Sequence, residues 1–102
     1  MTGNSESPQE NAQKAAFHAL VRGRVQGVGF RYSAVREADR LRINGWVRNS
    51  VDGNVEVWAE GTQAKLDLFL DWLRKGPQFS QVESVRKENM TPKGYRDFAV
   101  EY

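Results

Sequence analysis

Gly23-Arg24-Val25-Gln26-Gly27-Val28-Gly29-Phe30-Arg31 divides two stretches of different hydrophobic period. Before it, Ala15 to Gly23 is an apolar run interrupted by His18 and Arg22, the pattern of a strand not buried on both faces. After it, Phe30, Ala34, Val35, Ala38 and Leu41 fall on one helical face, with Arg36, Glu37, Asp39 and Arg40 elsewhere. The glycines at 23, 27 and 29 free the backbone to curl and turn its N–H groups toward a common point. The helix that begins there adds unpaired N–H donors and the positive end of its dipole. Arg31 falls in or beside the first helical turn, where that dipole disfavours a cation. A bound anion between the two resolves the conflict, so the segment reads as an anion cradle suited to phosphate.

Outward from this segment the elements follow from punctuation and period. Asn44-Gly45 is read as the end of the first helix, Asn or Gly suiting the left-handed closing residue. Trp46 to Ser50 is a second strand, Asp52-Gly53 a hairpin turn, and Val55 to Glu60 a third strand that alternates cleanly. Thr62 is an N-cap candidate for a second helix with Leu66, Phe69, Leu70 and Leu73 on one face, stopped by Gly76-Pro77. Gln81 to Lys87 is a fourth strand, and a loop around Pro92-Lys93-Gly94 leads to a short last strand, Asp97 to Tyr102. The order βαββαβ plus a terminal strand predicts an α+β, ferredoxin-like sandwich: a mainly antiparallel sheet with both helices on one face. The strands flanking each helix are expected to pair in parallel through right-handed crossovers, with the second strand antiparallel to its neighbours.

The chain of 102 residues is one small domain, residues 15–102, preceded by a polar tail over Met1 to Lys14 expected to be disordered. It contains no cysteine, which excludes disulfides, thiolate metal sites and a cysteine nucleophile. The single histidine, His18, has no partner at metal-ligand spacing and is read as a satisfied or solvent-facing strand residue. No apolar run approaches the ~20 residues of a membrane span, and no secretory signal opens the chain, so a cytoplasmic protein without a membrane partner is expected. A net charge of +2 does not by itself argue for nucleic acid. Trp72 on the second helix reads as packing.

Strand parity singles out one more residue. Val47 and Asn49 share one face of the second strand, and Trp46 and Arg48 share the other. If Val47 faces the helices, Asn49 points to the helix-covered side at a strand end, where its amide can donate to one oxygen and accept from a water. An asparagine beside Ser50 and Asp52 is also a common turn residue, and on parity alone that reading is favoured.

The run from Gly23 to Arg31, then Gly45-Trp46-Val47-Arg48-Asn49, Asp52-Gly53, Glu60-Gly61 and Gly76-Pro77, resembles the acylphosphatase family over residues 15–102. The resemblance implies a hydrolase of acyl phosphates that acts without metal or other cofactor. It implies that Arg31 binds the substrate phosphate, with the loop Val25, Gln26, Gly27, Val28, Gly29 and Phe30 sharing the cradling through backbone N–H groups. It further implies that Asn49 orients the attacking water, and that Ser50 supports Asn49 or the loop by a hydrogen bond. Many relatives carry a bulky residue where this chain has Gly29, so its loop is expected to be more flexible, or roomier beside the acyl group. No carboxylate pair or histidine is placed as a base, which leaves the substrate's own phosphate to accept the water proton. Inorganic phosphate is then both product and competitive inhibitor, and a monomer suffices.

Other readings are weaker. The Gly-x4-Gly-Lys-Ser/Thr phosphate motif is missing, and the glycine spacing does not match the dinucleotide fingerprint. An RNA-binding module could use Trp46 and Trp58 on the helix-free face with Arg22 and Arg48, but no stacking motif occupies the central strands. A sensing or carrier domain would not need Arg31 and Asn49 together.

Overall fold

The computed structural model describes residues 13–102. Its elements are β1 (Lys14–Arg24), α1 (Phe30–Leu41), β2 (Asn44–Asn49), β3 (Val55–Thr62), α2 (Gln63–Lys75), β4 (Gln81–Met90) and β5 (Phe98–Val100). They form one five-stranded sheet in the order β4-β1-β3-β2-β5. The α+β, ferredoxin-like sandwich expected from the sequence is the observed fold, with β5 added at one edge.

The pairing differs from the expectation in one respect. β3 lies between β1 and β2 and is antiparallel to both, and β1 lies between β3 and β4 and is antiparallel to both. The strands flanking each helix therefore run in the same direction without touching, because the α1 crossover skips β3 and the α2 crossover skips β1. β2 is antiparallel to β3 but parallel to β5, through Gly45–Phe98 and Val47–Val100. The expected disorder over Met1 to Lys14 lies outside the described residues except at its end, where Lys14 pairs with Thr62 in the first rung of β1.

Burial drives the layering. Phe17, Ala19 and Val21 of β1, Val47 of β2, and Val55, Val57 and Ala59 of β3 form one face of the core. Phe30, Ala34, Ala38 and Leu41 of α1 and Leu66, Phe69, Leu70 and Leu73 of α2 cover that face. Removing these side chains from water is the main favourable term, at about 1.5–3 kcal/mol for each large one. Trp72 packs as read, its ring 5.5 Å from Phe30 and 6.2 Å from Phe69. Thr62 caps α2, its hydroxyl accepting from the Lys65 N–H.

The close of α1 falls earlier than Asn44-Gly45. Arg42 takes the left-handed conformation at φ 59°, and the Ile43 N–H bonds back to the Ala38 carbonyl at 2.8 Å. Ile43 is buried, 1 % exposed, and swinging it into the core forces the chain to turn one residue before it. The drive to bury Ile43 overrides the local preference for Asn or Gly in the left-handed position. Gly45 serves another purpose: a Cβ there would lie 1.8 Å from the Trp58 carbonyl oxygen, so its missing side chain lets β2 close on β3.

The face without helices is also sealed. Glu60 is buried at 1 % exposure, and its carboxylate accepts from the Trp58 indole N–H and from the backbone N–H groups of Lys93, Gly94 and Tyr95. These bonds draw the 91–97 segment across Trp58. Burial by itself pushes the Glu60 carboxyl up, but the four donors outweigh it and hold it below the usual carboxylate range. A depressed folded value means the contribution is complete above the ordinary glutamate pKa and is lost as pH falls through the folded one. Glu60→Gln is expected to cost about 2 kcal/mol at neutral pH. Thermal melts from pH 7 to 3 should show a shallower acid limb for the variant; an unchanged limb would mean that Glu60 does not carry it.

Candidate active site

β1 and β2 run the same way, so both C-terminal ends reach the same end of the sheet, together with the end of β5. The segment Val25 to Gly29 leaves β1 there and enters α1 directly. Gly27 and Gly29 have φ of 74° and 77°, and Gly29 is the N-cap of α1 in the left-handed conformation. The curl read from the glycines is present. Ser33 N–H is bonded to the Gly29 carbonyl at 3.0 Å, so the N–H groups of Phe30, Arg31 and Tyr32 precede the first turn's closure. The first turn holds no acidic side chain.

Arg31 occupies that first turn, as expected. Among the described residues no carboxylate lies within ion-pair distance of it. Its guanidinium carbon is 5.4 Å from the centre of the Tyr102 ring, a cation–π contact. A permanent cation thus stands at a positive helix end without a compensating carboxylate, which is the conflict visible in the sequence.

A cavity of about 230 Å³ opens beside it. Val25, Gly27 and Gly29 of the loop line it, with Phe30, Arg31 and Tyr32 of α1. Asn49 faces it from the end of β2, and Val100 and Tyr102 close it from the β5 edge. Asn49 follows the parity of Val47 toward the helix-covered side, and the cavity brings it together with Arg31. Its Oδ1 is buried and accepts no hydrogen bond from the described residues. An acceptor in that condition is costly unless the site supplies it a donor.

Gln26 and Val28 do not line the cavity. Val28 packs against the hydrophobic core. Gln26 turns its side chain to the β2–β3 hairpin, its Nε2 donating to the Ser50 carbonyl at 2.9 Å and to the Asn54 carbonyl at 2.7 Å. The expected role of Ser50 is corrected here: its hydroxyl donates to the Asp52 carboxylate rather than to Asn49 or the loop. The Ser50 carbonyl is what reaches the loop, through Gln26. The Asp52 side chain, which also accepts from the Asn54 N–H, competes for that hydroxyl inside the turn.

The sequence pattern does not single out Tyr102, which lines the cavity from beyond β5, the strand ending at Val100 rather than at the expected Tyr102. It also borders a second hollow of about 330 Å³ with Arg48, Ser50, Val51 and Glu56, and Asn49 is common to both spaces.

His18 is the satisfied strand residue that was read: its Nε2 donates to Glu56 Oε2 at 2.6 Å. Glu56 Oε1 accepts from Arg48 Nε at 2.7 Å, and Arg48 lies 4.9 Å over Trp46. Trp58 is 4 % exposed, and the Trp46 indole donates to the Tyr95 hydroxyl. Trp46, Trp58 and Arg48 are thus engaged with their neighbours and with the 91–97 segment, while Arg22 is exposed. Among the described residues, no three His, Asp or Glu side chains are gathered to hold a metal ion, and no helix is long and apolar enough to cross a membrane.

Fold and site together define a small ferredoxin-like domain with a glycine-rich loop, an arginine and a strand-end amide around one cavity. A family profile described as Acylphosphatase matches residues 17–100. The chain is 48 % identical over 87 residues to an acylphosphatase of Bacillus velezensis, an alignment covering 84 % of this chain and 97 % of that one. The crystal structure of acylphosphatase from Bacillus subtilis superposes with a TM-score of 0.84 at 38 % identity, covering 86 % of this chain and 99 % of that one. An acylphosphatase from Coxiella burnetii also gives 0.84, at 34 % identity, over 99 % of this chain and 100 % of its own. The chain belongs to the acylphosphatase family, and nothing in these comparisons supports the RNA-binding alternative.

A side chain at Gly29 would meet nothing within 4 Å, so the space beside the loop is open, and only the left-handed backbone resists substitution. Gly29→Ala is expected to cost about 1 kcal/mol from that conformation alone. Chemical denaturation tests this; a loss several times larger would mean that the loop must move to accept a side chain.

Proposed function

We propose that this protein hydrolyses acyl phosphates to a carboxylate and inorganic phosphate, without metal or other cofactor. The observation that carries the reading is the meeting of Arg31, the Val25–Phe30 loop and the buried, unpartnered Oδ1 of Asn49 around one cavity. Arg31 supplies a permanent, fork-shaped cation for the phosphoryl oxygens. The backbone N–H groups of Val25, Gln26, Gly27, Val28, Gly29 and Phe30 add preorganised dipoles, and the helix end adds its own field. Substrate charge therefore relieves the electrostatic conflict at the start of α1 instead of adding to it.

Asn49 Oδ1 accepts a hydrogen bond from the attacking water and aims its oxygen at phosphorus. The bond from phosphorus to the bridging oxygen breaks, and the electron pair leaves with the carboxylate. Acyl phosphates are mixed anhydrides with a good leaving group, so positioning and charge neutralisation supply the catalysis. The side chains lining the cavity include no carboxylate and no histidine. The water proton passes to a phosphoryl oxygen of the substrate, so the base is part of the substrate itself. A carboxylate- or histidine-like pKa in the rate profile, removed by one substitution, would overturn this step.

Recognition through the phosphate leaves the acyl group loosely specified, and the product phosphate competes for the same cradle. The same reading includes a cytoplasmic monomer with no nucleic-acid or membrane partner; among the described residues no helix is long and apolar enough to cross a membrane.

Hydrolysis of an aryl acyl phosphate should proceed equally with and without chelator and be inhibited competitively by inorganic phosphate. Absence of turnover, or its loss to chelator, would refute the reading. Arg31→Gln should lose turnover and phosphate affinity together. Asn49→Ala should lose turnover by about a hundredfold or more, in line with the removal of one positioning or stabilising group, while phosphate still inhibits. Equal loss of phosphate inhibition in both variants would show that the two roles are not separate.

A further inference from the structure

The two halves of the site sit on separate pieces of chain, and the sheet does not tie them together where it matters. The last rung between β1 and β3 is Val21–Val55, and beyond a bulge at Arg22/Gly23 β1 continues against β4 alone. On the other side, β2 ends at Asn49, paired with Val55, and the chain enters the hairpin turn at Ser50. The cradle at 25–29 and the turn at 50–54 therefore both project past the shared ladder. Among the described residues, the only hydrogen bonds that join them are the two donated by the Gln26 side chain.

Those bonds use both hydrogens of the primary amide and reach across the mouth of the turn. Ser50 follows Asn49 directly, and Asn54 precedes Val55, the residue paired with Asn49. The turn is closed on itself by Ser50 N–H to the Asn54 carbonyl at 2.9 Å and Gly53 N–H to the Ser50 carbonyl at 3.2 Å. Gln26 thus grips a rigid unit at both of its ends. On the cradle side it is anchored by its neighbour Val25, buried at 1 % exposure. Only a side chain with two donors on one nitrogen, held at this reach, makes both bonds. Asparagine is one methylene too short, glutamate offers only acceptors, and methionine keeps the volume without donors.

We propose that Gln26 is a positioning residue for hydrolysis: its side chain sets the distance between the phosphate cradle and Asn49. This rests on the acyl-phosphatase reading above, and it assigns the Gln26 side chain a task distinct from the backbone N–H expected of that position. It touches neither phosphate nor water and acts through the hairpin that carries Asn49. Loss of the strut leaves the cradle and Arg31 in place while Asn49 drifts from its line to phosphorus. A displacement near 1 Å is enough to cost on the order of a hundredfold in rate.

The test measures kcat, KM and competitive inhibition by inorganic phosphate for wild type, Gln26→Met, Asn49→Ala and the double variant, with thermal melts on each. Turnover by the wild type establishes the underlying reading first; an inactive wild type refutes that reading and this proposal with it. Gln26→Met should lower kcat between about tenfold and a hundredfold with phosphate inhibition nearly unchanged. The double variant should be no slower than Asn49→Ala alone, because a strut has nothing left to position. Gln26→Asn, a gentler change that keeps the amide, should fall between wild type and Gln26→Met and serves if the methionine variant does not fold. Multiplied losses in the double variant would overturn the proposal. So would unchanged kcat, or phosphate affinity falling in step with kcat, which would make Gln26 part of the cradle instead.

Discussion

The insertion of β3 between β1 and β2 is the constraint on which the site depends. Antiparallel pairing to a shared neighbour makes β1 and β2 run the same way, so their C-terminal ends emerge at one end of the sheet. One end delivers the glycine loop and the start of α1, and the other delivers Asn49. Had the flanking strands paired directly, loop and amide would have been neighbours on the ladder, with no gap to fill. The skipped strand keeps loop and amide apart, and the cavity lined by both lies at that end of the sheet. Beyond the ladder, the hydrogen bonds that join the two among the described residues are those of the Gln26 side chain.

Electrostatics explains why the start of α1 tolerates its arginine. Stability alone favours an acidic side chain in a first turn, where the helix dipole is positive. Here that turn carries Arg31 and no acid, and the Tyr102 ring lies against its guanidinium. An aromatic face attracts a cation weakly and does not neutralise it. The site therefore keeps its charge available, whereas an Asp or Glu at the same place would satisfy Arg31 permanently and compete with any anionic ligand.

Much of this was legible in the chain. The change of hydrophobic period at Phe30, the Asp52-Gly53 turn and the Thr62 cap each act locally, and each element was found where local physics put it. Parity was enough to send Asn49 to the face of Val47. Misreadings arose where distant residues decide. Arg42 closes α1 because Ile43 has a core to enter, which no neighbour in sequence announces. β4 extends to Met90, past the expected Lys87, because β1 offers partners as far back as Ala16. The Ser50 hydroxyl went to Asp52, a choice between two nearby acceptors that spacing cannot rank. The grip of Gln26 on Ser50 and Asn54 spans 24 and 28 residues, and only the folded hairpin brings those carbonyls together.

The two faces of the sheet divide their polar groups unequally, and the division has a physical reason. On the helix-free face, Glu56 is shared between His18 and Arg48, and Glu60 accepts four hydrogen bonds, so each buried or half-buried charge is answered within the protein. At the site end, Asn49 Oδ1 and the cation of Arg31 are left unanswered among the described residues. An unpaired polar group at a strand end costs stability that a small domain has little of to spare. The saturated face and the apolar core offset that cost, which allows the site end to keep such groups. On the proposed function, donors and an acceptor already held in place would spare the site reorganisation when a phosphate enters.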